Sequence, residues 1–130
     1  MLFQIDYQDI KGSGFRNNFT TVYNNNYITI DQQGLIQKIS TTGQVDWLIT
    51  VRGKLSWFPS IVGNIAYLST DNGTCYSINL DSGVKLKVGK IQLNNKDNEE
   101  TILYSPPAAN SDIIAFNTNN KGLLVYAISN

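Results

Sequence analysis

Asn64-Ile65-Ala66-Tyr67-Leu68-Ser69-Thr70-Asp71-Asn72-Gly73 decides the fold, because the chain has already used the same phrase as Asn26-Tyr27-Ile28-Thr29-Ile30-Asp31-Gln32-Gln33-Gly34. It returns more loosely as Asp112-Ile113-Ile114-Ala115-Phe116-Asn117 through Lys121-Gly122. Each copy is a short apolar run bounded by turn formers, with no sustained spacing of three and four, which is the pattern of strand and not of helix. The Gly closing each copy supplies the positive φ that a tight hairpin needs. Gly34 and Gly73 stand 39 residues apart and Gly43 and Gly83 stand 40 apart, so the first two units are in register to within one residue.

Working outward from the second copy, Ser60-Ile61-Val62 leads into a Gly63-Asn64 turn, and Thr74 to Asn79 returns after the Asp71-Asn72-Gly73 turn. Asp81-Ser82-Gly83 turns again, and Val84 to Val88 completes a four-stranded meander. The first unit repeats that order with Phe19 to Val22, Tyr27 to Ile30, Leu35 to Ile39 and Gln44 to Val51. The third begins at Pro107-Ala108-Ala109 and runs to a third strand, Leu123 to Asn130; a polar run from Leu93 to Glu100 reads as a solvated loop before it. Leu2-Phe3-Gln4-Ile5-Asp6-Tyr7 reads as a fourth strand without the three that should precede it. A lone meander cannot bury both faces and must stack on copies of itself. A period near 40 built this way is the signature of a β-propeller blade.

The expectation is an all-β segment of about three four-stranded blades. It forms one unit over residues 1–130, with blade pieces near 1–12, 15–53, 58–91 and 102–130. The N-terminal strand would complete the last blade, either in trans from a second chain or within a larger parent ring. Propellers typically need about four to eight blades, so three do not close alone, whereas a symmetric pair makes a six-bladed ring.

Gly34-Leu35-Ile36-Gln37-Lys38-Ile39-Ser40-Thr41-Thr42-Gly43-Gln44-Val45-Asp46-Trp47 resembles the repeat of the PQQ-like (quinoprotein-type) β-propellers: a Gly turn, an alternating strand, then Thr-Gly, a short spacer and Trp. Gly73 to Leu86 keeps the turns without the Trp, and Gly122 to Asn130 keeps the Tyr126-Ala127-Ile128 strand. The resemblance implies the propeller fold and gives Trp47 a docking role between neighbouring blades. It says little about activity. A quinoprotein dehydrogenase would bring a cofactor cradle, a calcium site and a catalytic Asp drawn from many blades, and none of these maps onto this sequence. No cofactor or metal is therefore expected.

Ten basic residues balance ten acidic ones, so no positive field exists to hold nucleic acid or an anionic membrane surface. No run approaches the ~20 apolar residues of a membrane-spanning helix. The Asn clusters at 17–18, 24–26, 94–95 and 119–120 read as turn chemistry. Cys75 is the sole cysteine, a small hydrophobe within a strand. The chain has no histidine, which removes Ser-His-Asp and Cys-His nucleophile systems and the usual general base near neutral pH. Asp31, Asp71 and Asp81 all fall at Gly-containing turns, where local hydrogen bonding explains them.

Trp57 and Tyr104 stand ahead of first strands and form a candidate binding surface, able with Tyr23 to stack on a sugar or a partner side chain. The expected function is a non-catalytic scaffold that engages a protein partner or a second copy of itself. The alternatives are a carbohydrate-binding module and a fragment of a PQQ-dependent dehydrogenase.

Overall fold

The structure is a computed structural model that describes residues 19–31, 33–55, 58–90, 107–110, 112–119 and 121–128. Every regular element among them is a strand, arranged as three antiparallel sheets. The first sheet is β1 (Phe19–Tyr23), β2 (Asn26–Ile30), β3 (Leu35–Ile39) and β4 (Val45–Thr50), paired in chain order. The second is β5 (Ser60–Val62), β6 (Ile65–Ser69), β7 (Thr74–Asn79) and β8 (Lys85–Lys90), again in order. The third holds β9 (Ala108–Ala109), β10 (Ile113–Asn117) and β11 (Leu123–Ala127). The expected opening strand Leu2 to Tyr7 and the polar run 93–100 lie outside the described residues. No helix among the described residues is long and apolar enough to cross a membrane.

The turns explain why the chain doubles back where it does. Asn24 and Asn25 both hold positive φ, 46° and 61°, which is the mirror-image hairpin geometry that Asn tolerates best after Gly. The second turn of each sheet is the same device three times. Asp31 N donates to Leu35 O at 2.8 Å, Thr70 N to Thr74 O at 2.9 Å, and Thr118 N to Gly122 O at 3.0 Å. The side chains of Asp31, Thr70 and Thr118 are buried at that station. The hydroxyls of Thr70 and Thr118 donate to the same carbonyls, at 3.3 and 2.7 Å. Several strand ends differ from expectation by one to three residues; at one of them Asn79 N donates to Val84 O at 2.9 Å, and the fourth strand of the second sheet runs from Lys85 to Lys90 and not from Val84 to Val88.

The sheets hide their apolar faces against one another. Ile28, Ile30 and Ile36 of the first sheet pack with Ala66, Leu68 and Ile78 of the second, together with Leu80, Val51 and Leu55. Each fully buried aliphatic side chain in such a seam stabilises the fold by about 1.5–3 kcal/mol. On the opposite face of the second sheet, Tyr67 and Cys75 meet Ile114 and Phe116 of the third. Strand alternation makes this possible: Leu68 and Ile78 look one way, Tyr67 and Cys75 the other. The Ser60 hydroxyl donates to Pro107 O and ties the second sheet to the segment leading into the third.

Candidate functional site

The two seams are built on one plan but finished differently. In the first, Trp47 on β4 lies over the turn between β7 and β8, and its indole Nε1 donates to Leu80 O at 3.2 Å. Gly83 makes room for the ring: a Cβ there would stand 2.7 Å from Trp47 Cγ and 2.8 Å from Cδ2. Beside it, Tyr23 Oη donates to Asp81 Oδ1 at 2.7 Å, and Asn64 Nδ2 donates to Asp81 Oδ2 at 3.3 Å. The hydrogen bond to Asp81 comes first among the causes that raise the Tyr23 phenol above its ordinary pKa, with burial and the Asp81 charge adding to it. Lys38 Nζ sits 5.8 Å from the Tyr23 ring centroid, and Lys85 Nζ donates to Thr50 O at 2.6 Å while lying 5.9 Å from the Tyr76 ring.

These contacts correct the reading of the turn carboxylates. Asp31 does bond locally, accepting from Gln33 N at 2.6 Å. Asp71 instead accepts from Lys54 N at 3.1 Å across the connection between the first two sheets. Asp81 reaches the neighbouring sheet, and its own turn is held by Asn79 Oδ1, which accepts from Asp81 N and Ser82 N at 2.9 and 3.1 Å.

In the second seam the same stations carry smaller groups. Ile36 stands opposite Ile49 in the first sheet, and at the matching station of the second sheet Cys75 stands opposite Gly89. Trp47 stands opposite Lys38, and the residue at its station is Leu86, opposite Ser77. A cleft opens as a result, lined by Cys75, Val88, Gly89, Lys90, Ile114, Phe116 and Tyr126 and enclosing about 220 Å³, its solvent-open mouth included. Burial pushes the Cys75 thiol up to about 12, so it stays protonated and unreactive. Leu86 is 60% exposed and Val84 55%. In the third sheet β11 lies at the edge: β10 pairs with one side, and no described strand pairs with the other. Leu123 is 65% exposed and Val125 51%.

Of the residues singled out from sequence, Trp47 lies in the first seam and Tyr23 is held by Asp81 beside it. Trp57 and Tyr104 lie outside the described residues. The third strand of the last blade was expected to await a further strand, whereas the apolar flank of β8 was not singled out; its signal was the Val84-Lys85-Leu86 alternation without the aromatic that the first unit carries.

No known protein family matches the sequence, and no curated protein does. Solved structures do match. The computationally designed Ika4 protein is similar at 13% identity and a TM-score of 0.61, over 85% of this chain and 64% of that one. BamB from Moraxella catarrhalis, a PQQ-like β-propeller, is similar at 18% identity and a TM-score of 0.55, over 85% of this chain and 32% of that one. Raptor from Chaetomium thermophilum is similar at 12% identity and a TM-score of 0.60, over 81% of this chain and 10% of that one. The chain thus spans about two thirds of Ika4 and a smaller share of the others. At these identities the likeness concerns the fold: the chain is an all-β propeller segment.

Proposed function

We propose that this chain is a non-catalytic β-propeller scaffold of the PQQ-like type, which engages a protein by accepting an extended segment at the edge of its third sheet. The observation that carries this is the side of β11 with which no described strand pairs, with exposed Leu123 and Val125 on that strand and Tyr126 lining a cleft with Val88, Gly89 and Lys90 of β8. An edge strand offers a row of backbone donors and acceptors, and an added strand gains affinity from main-chain hydrogen bonds and specificity from side-chain pockets. The cleft over Cys75 is such a pocket, apolar and open at the edge. The non-catalytic part of the reading draws on the absence of histidine from the sequence.

Among the described residues, Tyr23, one of the aromatics considered for stacking on sugars, is bonded to Asp81 and lies beneath Lys38. The test is amide hydrogen exchange of the whole chain while a six-residue synthetic peptide of alternating apolar and polar residues is titrated in. Slowed exchange confined to Leu123–Ala127 is the expected result. Unchanged exchange there at millimolar peptide would refute strand acceptance.

A further inference from the structure

We infer that the cleft in the second seam is a binding site for a neutral aromatic hydrocarbon of benzene's size, seated over Gly89 at the station that a side chain fills in the first seam. This site stands apart from strand acceptance, since a ligand of this kind needs no backbone partner. The repeat locates it. Ile36 and Cys75 stand 39 residues apart and their cross-strand partners Ile49 and Gly89 stand 40 apart, the same spacings as Gly34 to Gly73 and Gly43 to Gly83. Ile49 packs its branched side chain against the core of the first seam. Gly89 brings no side chain to that station.

The residues around Gly89 leave the station vacant. The bulge between Cys75 and Tyr76 makes Val88 the extra residue of β8, and Val88 packs against the seam as a wall of the cleft without filling it. Ile114 and Phe116 of the third sheet are almost fully buried and close the floor. A Cβ built on Gly89 meets nothing within 4 Å among the described residues, and the backbone there does not hold the left-handed conformation that calls for glycine. Glycine inside a strand weakens it, and it often marks a place where a ligand comes close.

The lining selects the chemistry. At the floor the one polar side chain is the Cys75 thiol, which donates to Gly73 O at 3.8 Å. A water seated there would lack the about two to four polar partners it needs, whereas apolar hollows stay dry and take benzene or xenon. Phe116 and Tyr126 meet edge to face, their centroids 6.3 Å apart at 66°. Ring edges and the Cys75 sulfur both make favourable contacts with a further ring, so an aromatic occupant gains more than a saturated one. A six-carbon ring is slightly larger than the side chain of Ile49, and the 220 Å³ of the cleft, its mouth included, has room for it.

The experiment titrates benzene into the whole chain and reads side-chain NMR signals, with urea unfolding alongside. Methyl signals of Val88 and Ile114 and ring signals of Phe116 and Tyr126 should shift along one saturable curve, while those of Ile28, Ile36 and Ile49 in the first seam stay in place. At benzene about ten times above the dissociation constant read from that curve, the unfolding equilibrium constant should fall about tenfold. Gly89→Ile restores the filling of the first seam and should weaken binding about tenfold or more. Should that variant not fold, Gly89→Ala adds a smaller group to the same open space and should weaken binding by a lesser factor. No saturable shift, shifts spread equally over both seams, or unchanged binding in the folded variant overturns the inference. If benzene is not taken up while the alternating peptide still protects β11, the ligand site fails and strand acceptance stands. If benzene shifts the second seam while the peptide leaves β11 unprotected, strand acceptance fails and the ligand site stands.

Discussion

Substituting Gly83 with Ala probes the seam at its tightest point. A methyl placed there would stand 2.7 Å from Trp47 Cγ, about an ångström inside the ordinary carbon contact distance of about 3.5–4.0 Å. The backbone at Gly83 also holds φ at 76°, where an L side chain costs about 1–2 kcal/mol. Overpacking against the ring adds about 1–3 kcal/mol, so Gly83→Ala is expected to lose about 2–5 kcal/mol in total. Gly63 is the control: its φ is 61°, and a Cβ there meets nothing within 4 Å, so Gly63→Ala should show the backbone part alone. Urea unfolding, with mutants compared at a common slope, measures both. Removing the ring closes the cycle. In a Trp47→Ala background, which keeps the residue-47 Cβ 3.1 Å away, Gly83→Ala should cost less than in the unaltered chain, and the difference is the coupling between ring and turn. Equal losses for Gly83→Ala and Gly63→Ala in the unaltered background would refute docking of Trp47 on this turn.

Three further outcomes follow from single groups. Ser69 Oγ is buried with no hydrogen-bond partner among the described residues, so Ser69→Ala should stabilise the chain, by about 1 kcal/mol in urea titration; a loss of stability would refute this. The Cys75 thiol has a folded pKa of about 12 against an ordinary value of 9.0, so its contribution is complete below pH 9 and is lost as pH rises towards 12. The stability advantage of the unaltered chain over Cys75→Ala should narrow across that window, and a constant gap would contradict it. The Tyr23 phenol, held by Asp81, should ionise above the usual tyrosine range, so the Tyr23→Phe difference titration at 295 nm should shift downward when Asp81→Asn is introduced.

The first two sheets were legible almost strand for strand because their turns are local. Asn24-Asn25, Gly34, Gly73 and Gly83 each require positive φ, and positive φ is written in residue type. The partners of Asp81 were not legible: Tyr23 lies 58 residues away and meets it only because two sheets are stacked. The β8 register was hidden for a different reason. A bulge between Cys75 and Tyr76 in the second sheet, and another between Lys38 and Ile39 in the first, shift the strands at different points. Counting from the Gly turn therefore does not place Leu86 at the station of Trp47; the pairing does. The flank of β8 left only the trace of a missing aromatic in the Val84-Lys85-Leu86 alternation, since alternation assigns a side chain to a face without saying what lies across it.

Stacked sheets place two groups together that no isolated meander would: the Trp47 indole and the Gly83 Cα. A nuclear Overhauser spectrum of the folded chain reads that distance without any substitution. A cross-peak between the Trp47 indole protons and the Gly83 α-protons is predicted. A fully assigned spectrum that holds the strand pairings within each sheet and lacks this peak would contradict the stacked-blade architecture.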